Sequence, residues 1–159
     1  MASGKRSNDS PKEIRNKRAS HDYFIEDKFK AGVVLRGTEV KSIRQGRAQI
    51  SDAFVRFNPS GEAVLFNANI EEYSFGNVQN HEIKRARKLL LHKNELKKLR
   101  AAIEMDGLTV LPLRMFFSHG LVKVEVAICR GKKLFDKREA LKKRTELREA
   151  ERDLARFRR

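Results

Sequence analysis

The sequence predicts a mainly β domain with appended helices, on three observations. Short β-rich runs punctuated by turn residues recur between residues 21 and 130, two amphipathic helical patterns interrupt them, and residues 132–159 contain neither Gly nor Pro. Many short strands with two inserted helices fit a small antiparallel β-barrel of the OB-like kind, followed by a disordered or helical basic tail. At 159 residues one domain with one core is the expected size, leaving room for tails rather than a second domain.

Charge marks the boundaries. The chain has 36 Lys and Arg against 21 Asp and Glu, a formal net charge of +15. Residues 1–20 hold 6 basic and 2 acidic residues and residues 130–159 hold 13 and 6, whereas 21–129 hold 17 and 13. The reading is therefore a basic N-terminal arm over 1–20, a barrel over 21–130 and a basic C-terminal tail over 131–159. The arm combines Gly4, Ser7, Asn8, Ser10 and Pro11 with basic residues and offers little but Ile14 for burial. Disorder is expected there at least to Pro11.

Within the barrel, Tyr23-Phe24-Ile25 and Gly32-Val33-Val34-Leu35 read as strands. Thr38 is placed to cap a short helix with Glu39 in its first turn, Val40 and Ile43 inward and Gly46 as a left-handed stop. Residues 53–57 and 63–66 flank Asn58-Pro59-Ser60-Gly61 as a hairpin. Leu96, Leu99 and Ile103 recur at helical spacing and predict a helix from about His92 to Met105, ending near Gly107. A second hairpin joins 111–117 to 121–128 through Ser118-His119-Gly120. In its second strand Val122, Val124, Val126 and Ile128 alternate with Lys123, Glu125 and Ala127, the period of a half-buried strand. In the tail, Leu147, Ala150, Leu154 and Phe157 share one face, a stripe too thin to pack on a core. Such a helix is marginal alone, so the tail is expected to be frayed or disordered when free and helical along RNA.

The charge excess favours a polyanionic partner, and nucleic acid leads that class. The chain has no apolar run of about 18 residues and no charged start followed by an apolar stretch, so no membrane span or secretion signal is expected. A single cysteine, Cys129, fits a reducing compartment, which makes the cytoplasm the expected location. The chain has no His-Glu-x-x-His, no Cys-x-x-Cys and no Walker-type loop, and Gly131-Lys132-Lys133 lacks the upstream Gly and following Ser or Thr of a phosphate loop. His21, His81, His92 and His119 are scattered singly. The expectation is a protein without catalytic residues, metal or cofactor.

Basic residues interleaved with aromatics are the ingredients for following a phosphate backbone while stacking on unpaired bases. Three clusters have this character. The first is Asn16-Lys17-Arg18-Ala19-Ser20-His21-Asp22-Tyr23, which is either a solvated arm entering a strand or a contact with RNA. In the second, Lys84-Arg85-Ala86-Arg87-Lys88, four like charges in five positions favour a phosphate contact over a solvated loop. The third is Arg130-Gly131-Lys132-Lys133-Leu134-Phe135-Asp136-Lys137-Arg138, where Phe135 is either a helix-docking anchor or a stacking ring. A constitutive ribosomal or ribosomal-RNA-binding protein and a nuclease are the rival classes. The second would need clustered carboxylates holding metal.

The run His21-Asp22-Tyr23-Phe24-Ile25-Glu26-Asp27, followed by the stretch from Ala31-Gly32-Val33 through Thr38-Glu39-Val40-Lys41-Ser42 to Gly46, resembles the N-terminal signature of the small protein B family. The resemblance continues through Ser51-Asp52-Ala53-Phe54-Val55, Arg87-Lys88-Leu89-Leu90-Leu91-His92 and 131–138, in the family's order from about Asn16 to the end. It implies an OB-like barrel that grips the tRNA-like domain of transfer-messenger RNA. The RNA, charged with alanine, is delivered with elongation factor Tu to a stalled ribosome. There the tail enters the empty mRNA channel and the small-subunit decoding centre, and the unfinished peptide is tagged. The RNA-binding residues expected are Asn16, Lys17, Arg18, His21, Lys41, Arg87, Lys88, Lys123, Arg130, Lys132 and Lys133. For the decoding centre and tail function they are His21, Phe135, Asp136, Lys137 and Arg138. Three positions depart from the family pattern. Lys30 stands where glutamate is frequent, Ala86 where proline is frequent, and Phe135 where tyrosine is, keeping the ring but losing a hydroxyl.

Overall fold

The structure is a computed structural model; it describes residues 13–76 and 80–157, with the side chains of 133–141 and 157 outside the description. The expectation of disorder up to Pro11 therefore lies outside the described residues. In chain order the elements are β1 (Ile14–Arg15), α1 (Lys17–Asp22), β2 (Tyr23–Val33), α2 (Gly37–Arg44), β3 (Ala48–Gln49), β4 (Phe54–Phe57), β5 (Ala63–Phe66), β6 (Asn69–Ile70), β7 (Arg87–Leu90), α3 (Lys93–Glu104), β8 (Leu108–Ser118), β9 (Leu121–Gly131) and α4 (Lys132–Phe157).

Seven strands form an antiparallel sheet in the order β1-β8-β9-β2-β7-β5-β4, and β3 pairs with β6 beside it. The far strand β4 comes back against β8, so the sheet curls toward closure in the OB-like manner. Both predicted hairpins are present. In the longer one β8 and β9 pair from Leu108 with Arg130 to Ser118 with Leu121. His119 and Gly120 turn between them with φ of 50° and 77°, as a two-residue loop matching strand twist requires. The alternation in β9 resolves as read: Val122, Val124, Val126 and Ile128 enter the core with Met115, Ala31, Ile43, Leu65 and Leu99.

Two local features differ from the sequence expectations. Thr38 does not cap α2. The cap is Arg36, two residues earlier, the Arg36 amide donates to Glu39 Oε1 at 2.8 Å, and the Thr38 hydroxyl pairs with His81 Nδ1 at 2.9 Å. Gly46 does follow α2 with φ of 74°. The folded unit also begins before residue 21. Ile14 and Arg15 pair with Met115 and Arg114 on β8, and α1 follows at once, because one apolar residue and a capping Asn16 suffice to add a short edge. The tail takes the helical form of the expected disordered or helical segment: α4 runs from Lys132 to Phe157, and its described side chains from 142 to 156 all face solvent. Helix-forming composition and its own backbone bonds account for it, and Leu147 and Leu154 stay exposed as the thin stripe implies.

Candidate nucleic-acid interface

The strands β2, β9 and β8 carry the core on one face, and α1 lies on the other. Ala19 is buried there against Leu111, Ala127 and Cys129, with Ile25, Leu113 and Tyr23 around them. A methyl side chain at that point lets the helix lie close to the sheet. Asn16 fixes its start: Oδ1 accepts from the Ala19 amide at 3.1 Å, Nδ2 donates to the Pro112 carbonyl at 2.9 Å, and its own amide donates to the Leu113 carbonyl at 2.8 Å. Asn16 is only 6% exposed. Both its side-chain oxygen and nitrogen thus have a partner inside the fold, so its main role here is to position α1.

Along the α1 side of the sheet, Ala127, Glu125 and Lys123 alternate with the core valines of β9. Strand register places Lys28 beside Ala127, Lys30 beside Glu125, and Gly32 beside Lys123. Lys28 and Lys30 are therefore brought onto the face that holds α1 and Lys123. Lys17 and Lys28 line opposite sides of a groove of about 560 Å³ between α1 and the sheet, with Ser20, Ile25 and Leu113 in its wall. Among the described residues Lys17, Lys28, Lys30 and Lys123 have no carboxylate partner. Arg114, in the same groove, is neutralised. It pairs with Glu13 and, at 3.1 Å, with Glu125, and its guanidinium lies 4.3 Å from the Phe116 ring centre. Donation from Arg114, then from Arg15, holds the Glu13 carboxyl below its ordinary value. Lys28 and Lys30 were open to sequence reasoning as an i, i+2 pair in a strand, a signal weaker than a run of adjacent charges.

Of the other predicted residues, Arg18 turns away from this groove to pair with Asp52 at 2.6 Å, and His21 stands exposed at the end of α1 beside Asp22. Lys132 opens α4 with Nζ donating to the Ser20 carbonyl at 3.2 Å and lying 5.4 Å from the Phe24 ring centre, which ties the start of the tail to the end of α1. Arg130 pairs with Glu26 at 3.2 Å, and Lys88 with Glu62 at 3.0 Å. Lys41 sits apart on α2, 5.2 Å from the Tyr73 ring centre. The side chains of Lys133, Phe135, Asp136, Lys137 and Arg138 lie outside the described residues.

Arg87 requires the largest correction. It is 0% exposed and no phosphate can reach it. Its Nε donates to Glu39 Oε2, Nη1 to the Ala68 carbonyl at 2.9 Å and Nη2 to the Ile83 carbonyl at 3.1 Å. Arg85 Nη2 completes the pairing by donating to Glu39 Oε1 at 2.6 Å. Burial pulls the Glu39 carboxyl upward, but donation from Arg85, the Arg36 amide and Arg87 together outweighs it and leaves the group below its ordinary value. Cys129, the one thiol, is fully buried and burial pushes it up to about 11, so it is not a poised nucleophile. Among the described residues no group of three or more His, Cys, Asp or Glu is arranged to hold a metal.

Comparison with known proteins places this arrangement. The family described as SmpB protein matches residues 13–156. A protein named SsrA-binding protein from Geotalea uraniireducens is 57% identical over 129 residues, covering 81% of this chain and 85% of that protein. One of the same name from Bifidobacterium longum is 53% identical over 137 residues, covering 86% and 87%. Among solved structures, a chain from the work described as "tmRNA-SmpB: a journey to the center of the bacterial ribosome" superposes with a TM-score of 0.66 at 44% identity, covering 77% of this chain and 85% of that one. Matching over nearly the whole folded unit and most of α4, the chain belongs to the SmpB protein family.

Proposed function

We propose that this chain is an RNA-binding adaptor that takes the tRNA-like domain of transfer-messenger RNA onto the α1 face of its barrel and delivers it to stalled ribosomes. The observation that carries the proposal is the row of unneutralised lysines, Lys17, Lys28, Lys30 and Lys123, on one rigid face of a chain whose relatives are named for binding SsrA RNA. A preformed basic surface meets the phosphates of a folded RNA without an ordering cost, and its shape selects among folded RNAs. Asn16 and Arg87 serve this face from inside, the first by fixing α1 and the second by fixing β7 against α2. Lys132 and His21 place the root of α4 beside the bound RNA. The tail then extends into the empty mRNA channel, with Phe135, Asp136, Lys137 and Arg138 acting near the decoding centre. Elongation factor Tu accompanies the alanyl RNA to the ribosome, the setting is the cytoplasm, and no catalytic step falls to this protein.

A reconstituted bacterial translation system tests this reading. With an mRNA lacking a stop codon, transfer-messenger RNA and elongation factor Tu present, adding the protein is expected to convert the stalled peptide to a tagged, released one. Failure to tag, under conditions where a known family member succeeds, would overturn the proposal.

A further inference from the structure

Away from the α1 face, the first turn of α2 and the loop after β6 build a second feature. Phe75 is 78% exposed, the most exposed large apolar side chain among the described residues. It is held rather than loose. Tyr73 backs it edge-on, with ring centres 5.6 Å apart at 66°, and Lys41 Nζ lies 5.2 Å from the Tyr73 ring centre. Asn80 clamps the loop at both ends of one residue, accepting from the Tyr73 amide at 3.0 Å and donating to the Tyr73 carbonyl at 2.7 Å. The Gly76 amide closes the turn on the same carbonyl at 2.9 Å, and a Cβ on Gly76 would stand 2.7 Å from Asn80 Nδ2, so the clamp and a side chain there exclude each other. Next in the chain, buried His81 receives the Thr38 hydroxyl at Nδ1 and donates from Nε2 to the Ile70 carbonyl, both at 2.9 Å, tying residue 81 to α2 and β6.

We propose that Tyr73 and Phe75 form a preorganised stacking shelf for one unpaired nucleobase of the bound RNA, with Lys41 and Arg36 meeting its flanking phosphates. The recess between the two rings and α2 measures about 350 Å³, and its border among the described residues holds those two cations and no carboxylate. A planar anionic ligand satisfies both features, and an unpaired nucleotide is such a ligand: its π-face suits the exposed ring and its phosphate suits the cations. An apolar peptide or a lipid chain would use the ring and leave the cations idle. Because the clamp holds Tyr73 and the turn to Gly76 before binding, the shelf loses little freedom on contact. The inference rests on the RNA-binding reading and adds to it a second contact that reads an unstacked base instead of backbone shape.

The test uses the full chain and a transcript of the tRNA-like domain in which one unpaired loop purine at a time is replaced by fluorescent 2-aminopurine. One position is expected to be quenched when the wild-type protein binds. Phe75→Ala and Phe75→Leu are expected to abolish that quenching and weaken binding about tenfold, while Phe75→Tyr retains both. Since Phe75 is exposed, thermal midpoints of all three variants should match the wild type. Full affinity for Phe75→Ala, or no quenched position in a tightly bound wild-type complex, would overturn the shelf and leave the RNA reading standing. Failure of the wild type to bind the unmodified transcript would overturn the RNA reading itself.

Discussion

Glu39→Ala is expected to destabilise the fold by about 3–5 kcal/mol, a large part of the stability of a domain this size. The carboxylate sits between two guanidiniums and the Arg36 amide with no exposure of its own, and Arg87 opposite it is equally buried. Cutting back Glu39 leaves the Arg87 charge unneutralised among Ala68, Ile83 and the core, with no route for its side chain to water. The deletion therefore costs more than a lost hydrogen bond; it strands a charge. Urea denaturation should show the midpoint falling with an unchanged slope. Glu39→Gln, which keeps one acceptor and the volume, should lie between wild type and Ala.

The same group sets an acid limb. Its folded pKa lies below the ordinary carboxyl value of 4.5, so the stability it contributes is fully present above that value and is lost as pH falls through the folded one. Glu13, lowered by Arg114 and Arg15, acts in the same direction. Wild-type stability should therefore fall on acidification below about pH 4.5, and Glu39→Gln should flatten that fall. An acid limb unchanged in Glu39→Gln would show that the buried pair does not set it.

Ending the chain after Lys132 is expected to abolish tagging while changing affinity for the tRNA-like domain by less than about threefold near physiological salt. The division follows from placement. The unneutralised lysines and α1 all precede residue 132, whereas the side chains of 142–156 face solvent. Residues 133–159 carry +5 of the +15, so the truncated protein should bind non-specific RNA more weakly and with a shallower dependence on salt. Filter binding and peptide tagging on the same preparations separate the two effects. Equal loss of both would contradict a barrel that recognises RNA and a tail reserved for the ribosome.

What was legible in the sequence was whatever repeats at a fixed local period. The β8–β9 hairpin announced itself through alternating valines, and α3 through leucines at helical spacing, because burial of one face imposes that period. Arg87 was misread for the converse reason. A run of like charges looks uniform in sequence, yet β7 alternates, so Arg87 and Leu89 turn inward while Lys88 and Leu90 turn out. Its partner Glu39 stands 48 residues away, beyond any local pattern. The capping role of Asn16, three residues ahead of Ala19, was not read from the sequence, and its second bond, to Pro112, depends on a strand 96 residues on. The two-residue strands β3 and β6 have no periodicity at all. Nor could the sequence distinguish Phe75, on a clamped exposed loop, from Phe57 or Phe117, packed against the core.

The central claim, that a rigid lysine-lined face recognises a particular folded RNA, is tested most directly by the affinity of the full-length protein for the tRNA-like domain of transfer-messenger RNA. The measurement is made with excess tRNA as competitor, at two salt concentrations. Tight binding that survives the competitor at both concentrations is the result expected. Weak binding shared equally with the competitor and collapsing as salt rises would contradict it, and would make this a generic basic protein rather than a selective adaptor.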